Sequence, residues 1–184
     1  GKSRKYPCTM GYDEASDLVS IVKYLRKKHG KEALIGVQGE SMGSGTLAQA
    51  LDGIDETSDF AVLDCGYAGM DEMARWIEKL FPFYDQTVLH DLVDELSRAG
   101  SARYSDVNGL QHVAAVRPNY PVFFAHGGVD TFVPTRFSKE MAKAKRGKSE
   151  LHIYKWAFHA MSRFLYGARY EQDVRDWMKK NYLV

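Results

Sequence analysis

A pentapeptide of the form G-x-S-x-G, Gly39-Glu40-Ser41-Met42-Gly43, combines residue types and spacing that could do chemistry. An apolar run at 33–38 precedes it with the length of a buried strand, and a helical pattern at 44–51 follows it. A sharp strand-to-helix turn strains the backbone of its serine and exposes the hydroxyl at the top of the sheet. We therefore predict that Ser41 is a nucleophile, and that both glycines prevent collisions between the strand and the helix.

A serine hydroxyl is a weak nucleophile, so it needs a base to take its proton and an acid to orient the base. His159 follows an apolar run at 151–156, and Asp130 follows another at 121–126. Because ligands bind at the carboxyl ends of parallel strands, both side chains are predicted to lie at the same sheet edge as Ser41. The order serine, aspartate, histidine also accompanies this motif in serine-dependent hydrolases.

Other residues compete for these roles. Asp64 ends the preceding apolar run and is a rival acid, although Asp130 has the better surrounding motif. His126 begins a turn and is expected to satisfy local backbone groups. Cys65 is expected to pack, because nothing in the sequence predicts a thiol with a lowered pKa. The remaining histidines are poorly placed to act as a base: His29, His90, His112 and His152.

The elements that must position these residues alternate between short apolar runs and helical patterns, which predicts a parallel sheet with right-handed crossovers. The predicted strands are 33–38, 59–64, 121–126 and 151–156; the predicted helices are 12–29, 44–51, 135–145 and 170–182, with a longer helical segment from about 69 to 116.

Composition narrows the function further. The chain has 184 residues, 45% of them hydrophobic and 27% charged, and a formal net charge of +1. This balance argues against nucleic acid or an anionic membrane as a partner. No apolar run approaches the ~20 residues of a membrane-spanning helix. The two cysteines form neither a disulfide framework nor a metal-ligand pattern with a histidine, so we expect no cofactor, no metal and a cytoplasmic location.

The chain resembles the bacterial esterase and serine-aminopeptidase-like branch of the α/β-hydrolase superfamily. The segments that carry this resemblance span nearly the whole chain: Gly1-Lys2-Ser3, Gly11-Tyr12-Asp13-Glu14 with Asp17, Gly39 to Gly43, His126-Gly127 with Asp130, Val133-Pro134, and His159.

The resemblance implies an α/β fold in which a parallel sheet is flanked by helices. It implies that Ser41 is the nucleophile, His159 the base and Asp130 the acid, with the Met42 backbone N–H as one oxyanion donor. The implied activity is hydrolysis of carboxylic esters, or of other small acyl substrates, through an acyl-enzyme. An aminopeptidase, an acyl-thioesterase and a catalytically silent binding module remain alternatives.

The chain departs from this family before the pentapeptide. In that fold the elbow follows the fifth of eight strands, whereas only about thirty residues precede it here. We therefore expect 1–184 to be the C-terminal portion of one hydrolase domain, without the N-terminal strands and the second oxyanion donor. The strand at 33–38 would then be an open edge, which invites pairing with a separate N-terminal segment or self-association.

The segment from about 69 to 117 is expected to be a helical cap inserted into the domain. It is rich in large aromatic side chains, and Trp76, Phe81 and Phe83 are candidates for lining an acyl pocket. The same residues could equally form the packed core of the insertion.

Overall fold

The computed structural model describes residues 8–80 and 104–183. Within these residues, four parallel strands form one sheet in the order β1-β2-β3-β4. The strands are β1 Gly36–Glu40, β2 Phe60–Asp64, β3 Val122–Gly127 and β4 Ser149–Tyr154. The helices are α1 Tyr12–His29, α2 Met42–Ile54, α3 Met70–Leu80, α4 Gly109–Ala115, α5 Arg136–Ala144 and α6 Ser162–Lys180, with a short 3-10 turn at Tyr104–Asp106.

The predicted parallel sheet flanked by helices is confirmed, and α1 has the predicted bounds. Other bounds differ. The strand before the pentapeptide occupies Gly36–Glu40, so Gly39 and Glu40 belong to the strand itself. The last helix begins at Ser162, eight residues before the predicted start at residue 170. The earlier start was missed because the sequence carries no usual N-cap signal there: Met161 is the N-cap residue and makes no side-chain cap bond.

The core lies on both faces of the sheet, as the period-2 alternation of strand side chains requires. On one face the central strands pack Ala61, Leu63 and Phe124 into a cluster that includes side chains from α1, α2, α4 and α5. On the other face Phe123 packs against Tyr170 and Trp177 of α6, with ring centroids 6.5 and 5.4 Å apart.

Both described ends of the predicted cap segment contact the first of these clusters. Met70 and Met73 of α3, Val113 of α4 and the flanking Val107 and Val116 are all buried in it. The cap boundaries at about 69 and 117 stay a prediction, because residues 81–103 lie outside the described part of the chain.

Strand β1 lies at an edge of the sheet, as the sequence predicted. Within the described residues it pairs with β2 alone, and Gly36, Gln38 and Glu40 are exposed. On the α6 side, a groove of about 450 Å³ opens beside Gln38 and Val62 and continues along α6. The edge and the groove together leave one flank of the sheet uncovered by the residues described.

None of the helices in the described part of the chain combines the length and the apolar character that a bilayer crossing demands. The cytoplasmic location stays a prediction.

Candidate active site

Ser41 lies in the sharp turn between β1 and α2. Its φ and ψ are 54° and −118°, in a region that residues other than glycine seldom adopt. Its N–H donates to the carbonyl of Asp64 at 3.0 Å, and its carbonyl accepts from the N–H groups of Ser44 and Gly45, each at 3.0 Å. These bonds at both ends of the residue hold the strained conformation and direct the side chain away from the strand.

The two glycines of the pentapeptide have different environments. A Cβ on Gly39 would lie 2.4 Å from the carbonyl oxygen of Gly43, so only glycine fits there. A Cβ on Gly43 would meet nothing within 4 Å, since this residue is exposed in the first turn of α2. The prediction that both glycines relieve a collision is therefore wrong for Gly43.

The three predicted catalytic side chains form one continuous hydrogen-bonded chain. Ser41 Oγ lies 2.7 Å from His159 Nε2, and His159 Nδ1 lies 2.8 Å from Asp130 Oδ2. Because a carboxylate only accepts, His159 Nδ1 carries a proton and its neutral Nε2 is free to accept the Ser41 hydroxyl proton. This geometry can activate a hydroxyl for attack on an acyl carbon.

Asp130 is held by donors on both of its oxygens. Its side chain is fully buried, and Oδ1 accepts the N–H groups of Phe132 at 3.0 Å and Val133 at 2.9 Å. Burial alone would raise the pKa of Asp130. Contacts with His126 and His159 and the bond from Val133 outweigh it and lower that pKa to about 2. The carboxyl group of Asp130 is therefore ionised at neutral pH.

The prediction that His126 satisfies local backbone groups is confirmed by its contact with the Val133 carbonyl. His126 lies behind Asp130 within β3, which extends one residue beyond the predicted strand 121–126, and its side chain is fully buried. Its Nε2 lies 2.9 Å from the carbonyl of Val133 and 3.2 Å from Asp130 Oδ2, and its Nδ1 lies 2.7 Å from Ser138 Oγ. A histidine four residues before the candidate acid was the sequence signal for this contact.

The rival acid Asp64 does not join this chain of bonds. It is buried, and its Oδ1 has no hydrogen-bond partner among the residues that the structure describes. Burial raises the pKa of Asp64, which disfavours the charged form that would orient a base. The backbone of Asp64 still matters, because its carbonyl accepts the Ser41 N–H.

Cys65 follows Asp64 and is fully buried, with a positive φ of 43°. Its sulfur, one oxygen of Asp130 and one ring nitrogen of His159 lie within 4.8 Å of one another. Within the described residues, these three side chains form the group that could hold a metal ion. Burial, with Asp64 nearby, raises the pKa of the Cys65 thiol to about 12, which opposes the thiolate that a metal needs. Asp130 and His159 are already bonded within the chain of bonds from Ser41.

Met42 begins α2 directly after Ser41. The N–H groups of a first helical turn have no acceptor within the helix, so the Met42 N–H is available to an oxyanion beside Ser41. The side chain of Met42 is 44% exposed, and its sulfur lies 3.6 Å from Cys8 Sγ.

An exposed apolar side chain lies within two positions of each residue of the hydrogen-bonded chain. Phe132 is 56% exposed and packs edge-on against the His159 ring, with centroids 5.0 Å apart; Phe158 is 59% exposed. Trp76 is half-buried, and its indole N–H donates to the carbonyl of Thr131 at 3.3 Å, beside Asp130. The other two predicted pocket residues, Phe81 and Phe83, lie outside the described residues.

Residues 6–183 match the prolyl oligopeptidase family. The chain belongs to the prolyl oligopeptidase family. The predicted membership in the α/β-hydrolase superfamily is thereby confirmed. A similar protein of Bacillus subtilis (strain 168), the uncharacterized protein YqkD, is 29% identical over 182 residues, which are 97% of this chain and 57% of YqkD.

Solved structures also resemble this prolyl oligopeptidase-family chain in fold. The Pyrococcus furiosus esterase Pf2001 has a TM-score of 0.71 at 21% identity, over 98% of this chain and 66% of the esterase. An α/β fold family hydrolase from Bacillus anthracis str. Sterne has a TM-score of 0.64 at 15% identity, over 96% of this chain and 78% of that protein. Porphyromonas gingivalis dipeptidyl peptidase 4 has a TM-score of 0.63 at 16% identity, over 93% of this chain and 23% of the peptidase. The chain spans less than two thirds of the length of YqkD and of the esterase.

Proposed function

We propose that this chain carries the catalytic residues of a serine hydrolase that cleaves carboxylic esters through an acyl-enzyme. The observation that carries the proposal is the pair of hydrogen bonds, 2.7 and 2.8 Å long, that joins Ser41 to His159 and His159 to Asp130. The strained turn at Ser41 and its position at the start of α2 support the same role.

In the proposed mechanism, Ser41 Oγ forms a bond to the ester carbonyl carbon while its proton moves to His159 Nε2. Asp130 stabilises the imidazolium that results. The carbonyl oxygen takes up the negative charge and is stabilised by the Met42 N–H. The tetrahedral intermediate then expels the alcohol, which takes the proton from His159. Water repeats these steps on the acyl-enzyme and releases the acid and free Ser41.

The exposed apolar side chains beside the site favour an apolar acyl or alcohol group. Met42, Phe132 and Phe158 present apolar surface next to the three reacting side chains, and burying such surface against a substrate is favourable. The fold likeness to an esterase of Pyrococcus furiosus is consistent with an ester substrate.

A peptidase is the second candidate. The match to the prolyl oligopeptidase family over residues 6–183 favours it, and the same three side chains could cleave an amide. Both candidates share the attack of Ser41 on the carbonyl carbon. They differ in the leaving group, since His159 would protonate the leaving nitrogen of an amide and the leaving oxygen of an ester.

Substrate profiling separates the candidates. The kcat/KM of the full chain is measured on p-nitrophenyl esters of increasing acyl length, on aminoacyl-arylamides and on acyl thioesters, with Ser41→Ala as the control. The proposal expects the highest kcat/KM on an ester with an apolar acyl group, and loss of that activity in the variant. A higher kcat/KM on arylamides or thioesters would assign one of those classes instead. Turnover of none of these substrates would favour a silent binding module.

A further inference from the structure

We propose that His126 is a positioning residue for Asp130, and that Ser138 completes the hydrogen bonding of the ring nitrogen that faces away from Asp130. This inference rests on the proposed function, because it concerns how Asp130 is held against His159. The polar contacts of the His126 ring are with Ser138, Val133 and Asp130, so this histidine would act on the reaction through Asp130.

The environment of the His126 ring is closed and polar. Ring and hydroxyl are both fully buried, and Nδ1 of His126 lies 2.7 Å from Ser138 Oγ at the start of α5. Nε2 lies 2.9 Å from the carbonyl of Val133 and 3.2 Å from Asp130 Oδ2. Each ring nitrogen therefore has a polar partner within hydrogen-bond distance.

The partners decide the tautomer of His126. A backbone carbonyl and an ionised carboxylate only accept, so Nε2 must carry the proton that faces Val133 and Asp130. The hydroxyl of Ser138 can donate, so it satisfies the bare Nδ1. Without that hydroxyl, the buried Nδ1 would lack a donor, but Val133 and Asp130 would still require the proton on Nε2.

This N–H acts on the carboxylate oxygen that orients the base. Oδ2 of Asp130 accepts from His159 Nδ1 at 2.8 Å, and the His126 N–H lies on the same oxygen. Oδ1 is fixed by the N–H groups of Phe132 and Val133. The carboxylate can therefore neither rotate nor concentrate its charge on His159 alone.

Two other ionisable groups face this pair from the end of β2. Asp64 interacts electrostatically with His126, and Cys65 with Asp130. Both are buried and lie outside the chain of hydrogen bonds, so substitutions at His126 leave them in place.

Two substitutions at His126 test the proposal in the full chain, with a p-nitrophenyl ester as substrate. His126→Phe keeps the planar ring and removes both nitrogens. His126→Gln places an amide N–H at a similar distance from the backbone, so it can still donate toward Asp130. We expect the Phe variant to lower kcat with little change in KM. We also expect the acid limb of its kcat/KM profile at higher pH, because Oδ2 then stabilises protonated His159 more strongly.

The Gln variant should return the acid limb toward its wild-type position. A Phe variant whose acid limb stays at the wild-type pH, or a Gln variant that moves it as far as Phe does, would overturn the proposal. If wild-type Ser41 reacts with no ester and no fluorophosphonate, the proposed function fails instead, which is a distinct outcome.

A second measurement needs no substitution at His126 and no activity. In the full chain labelled with 15N-histidine, the ring shifts of His126 should show a protonated Nε2 and a bare Nδ1. Ser138→Ala should leave Nε2 protonated and change the shift of Nδ1, which loses its hydrogen-bond donor. Any other protonation pattern in the wild-type ring would overturn the tautomer assignment, whatever the enzyme hydrolyses.

Discussion

His159 Nδ1 lies 2.8 Å from Asp130 Oδ2 although the two residues are separated by 29 positions in the chain. The contact joins the loop after β3 to the loop after β4, which are neighbouring parallel strands. It turns the imidazole so that Nε2 lies 2.7 Å from Ser41 Oγ. The ends of three strands, β1, β3 and β4, therefore bring together the proposed acid, base and nucleophile.

Asp130→Asn should lower kcat by roughly 10³–10⁴-fold on whichever substrate is hydrolysed. The amide of asparagine donates to His159 Nδ1 and leaves the proton on Nε2, where it cannot accept from Ser41. Steady-state kinetics measure the loss. The matched control is Asp64→Asn, which neutralises the rival acid and should retain kcat within a few fold. If Asp64→Asn is the more damaging change, the acid has been misassigned.

Gly39→Ala should destabilise the fold, because its new Cβ would meet the Gly43 carbonyl oxygen at 2.4 Å. Overpacking of this kind costs about 1–3 kcal/mol. Gly43→Ala places the same methyl group in open space on α2 and should change the free energy of unfolding by less than about 1 kcal/mol, toward greater stability. Urea denaturation compares the two. Equal destabilisation by both substitutions would show that the elbow is not packed as described.

The pH dependence of stability should carry a contribution from Asp130. Its pKa falls from an ordinary 3.8 to about 2 on folding, so the folded state binds this proton less tightly than the unfolded state. The associated stability is complete above about pH 5 and is lost as the pH falls toward 2, roughly 2–3 kcal/mol in all. Denaturation of wild type and Asp130→Asn between pH 6 and 2 measures it. The gap between their free energies of unfolding should narrow below pH 4, and a constant gap would contradict the prediction.

The edge of β1, which pairs only with β2 within the described residues, should make the chain associate at high concentration. Unpaired strand edges pair with other strands, and a lysine on the edge opposes this. Gln38→Lys, at an exposed edge position, should reduce association in sedimentation velocity. The control Ser20→Lys adds the same charge on the exposed side of α1. A wild-type chain that stays monomeric at all concentrations would contradict self-association through this edge.

Much of the fold followed from local patterns. The spacing of apolar residues predicted α1 with its observed bounds, and the alternation of strands and helices predicted the parallel sheet. Element ends were harder to predict. The turn at Ser41 is so tight that β1 includes Gly39 and Glu40, two residues past the predicted end of the strand. The start of α6 at Ser162 was not predicted, because no N-cap signal precedes it.

The predicted ends of the strands were enough to locate the three side chains of the candidate site. Ser41, Asp130 and His159 were identified because each follows an apolar run, and the structure brings them into contact. The contacts of His126 with Asp130 and Ser138 were missed, since the position of Ser138 is fixed by how α5 packs on β3. The four-residue spacing of His126 and Asp130 was a sequence signal for the first contact, but no local pattern reports that packing.

The most direct test of the account is covalent labelling of Ser41. The full chain is treated with a fluorophosphonate, digested, and analysed by mass spectrometry. We expect one adduct on the peptide that contains Ser41, strongly reduced in His159→Ala and absent in Ser41→Ala. An unlabelled wild-type chain, or labelling that survives Ser41→Ala, would contradict the assignment of Ser41 as the nucleophile.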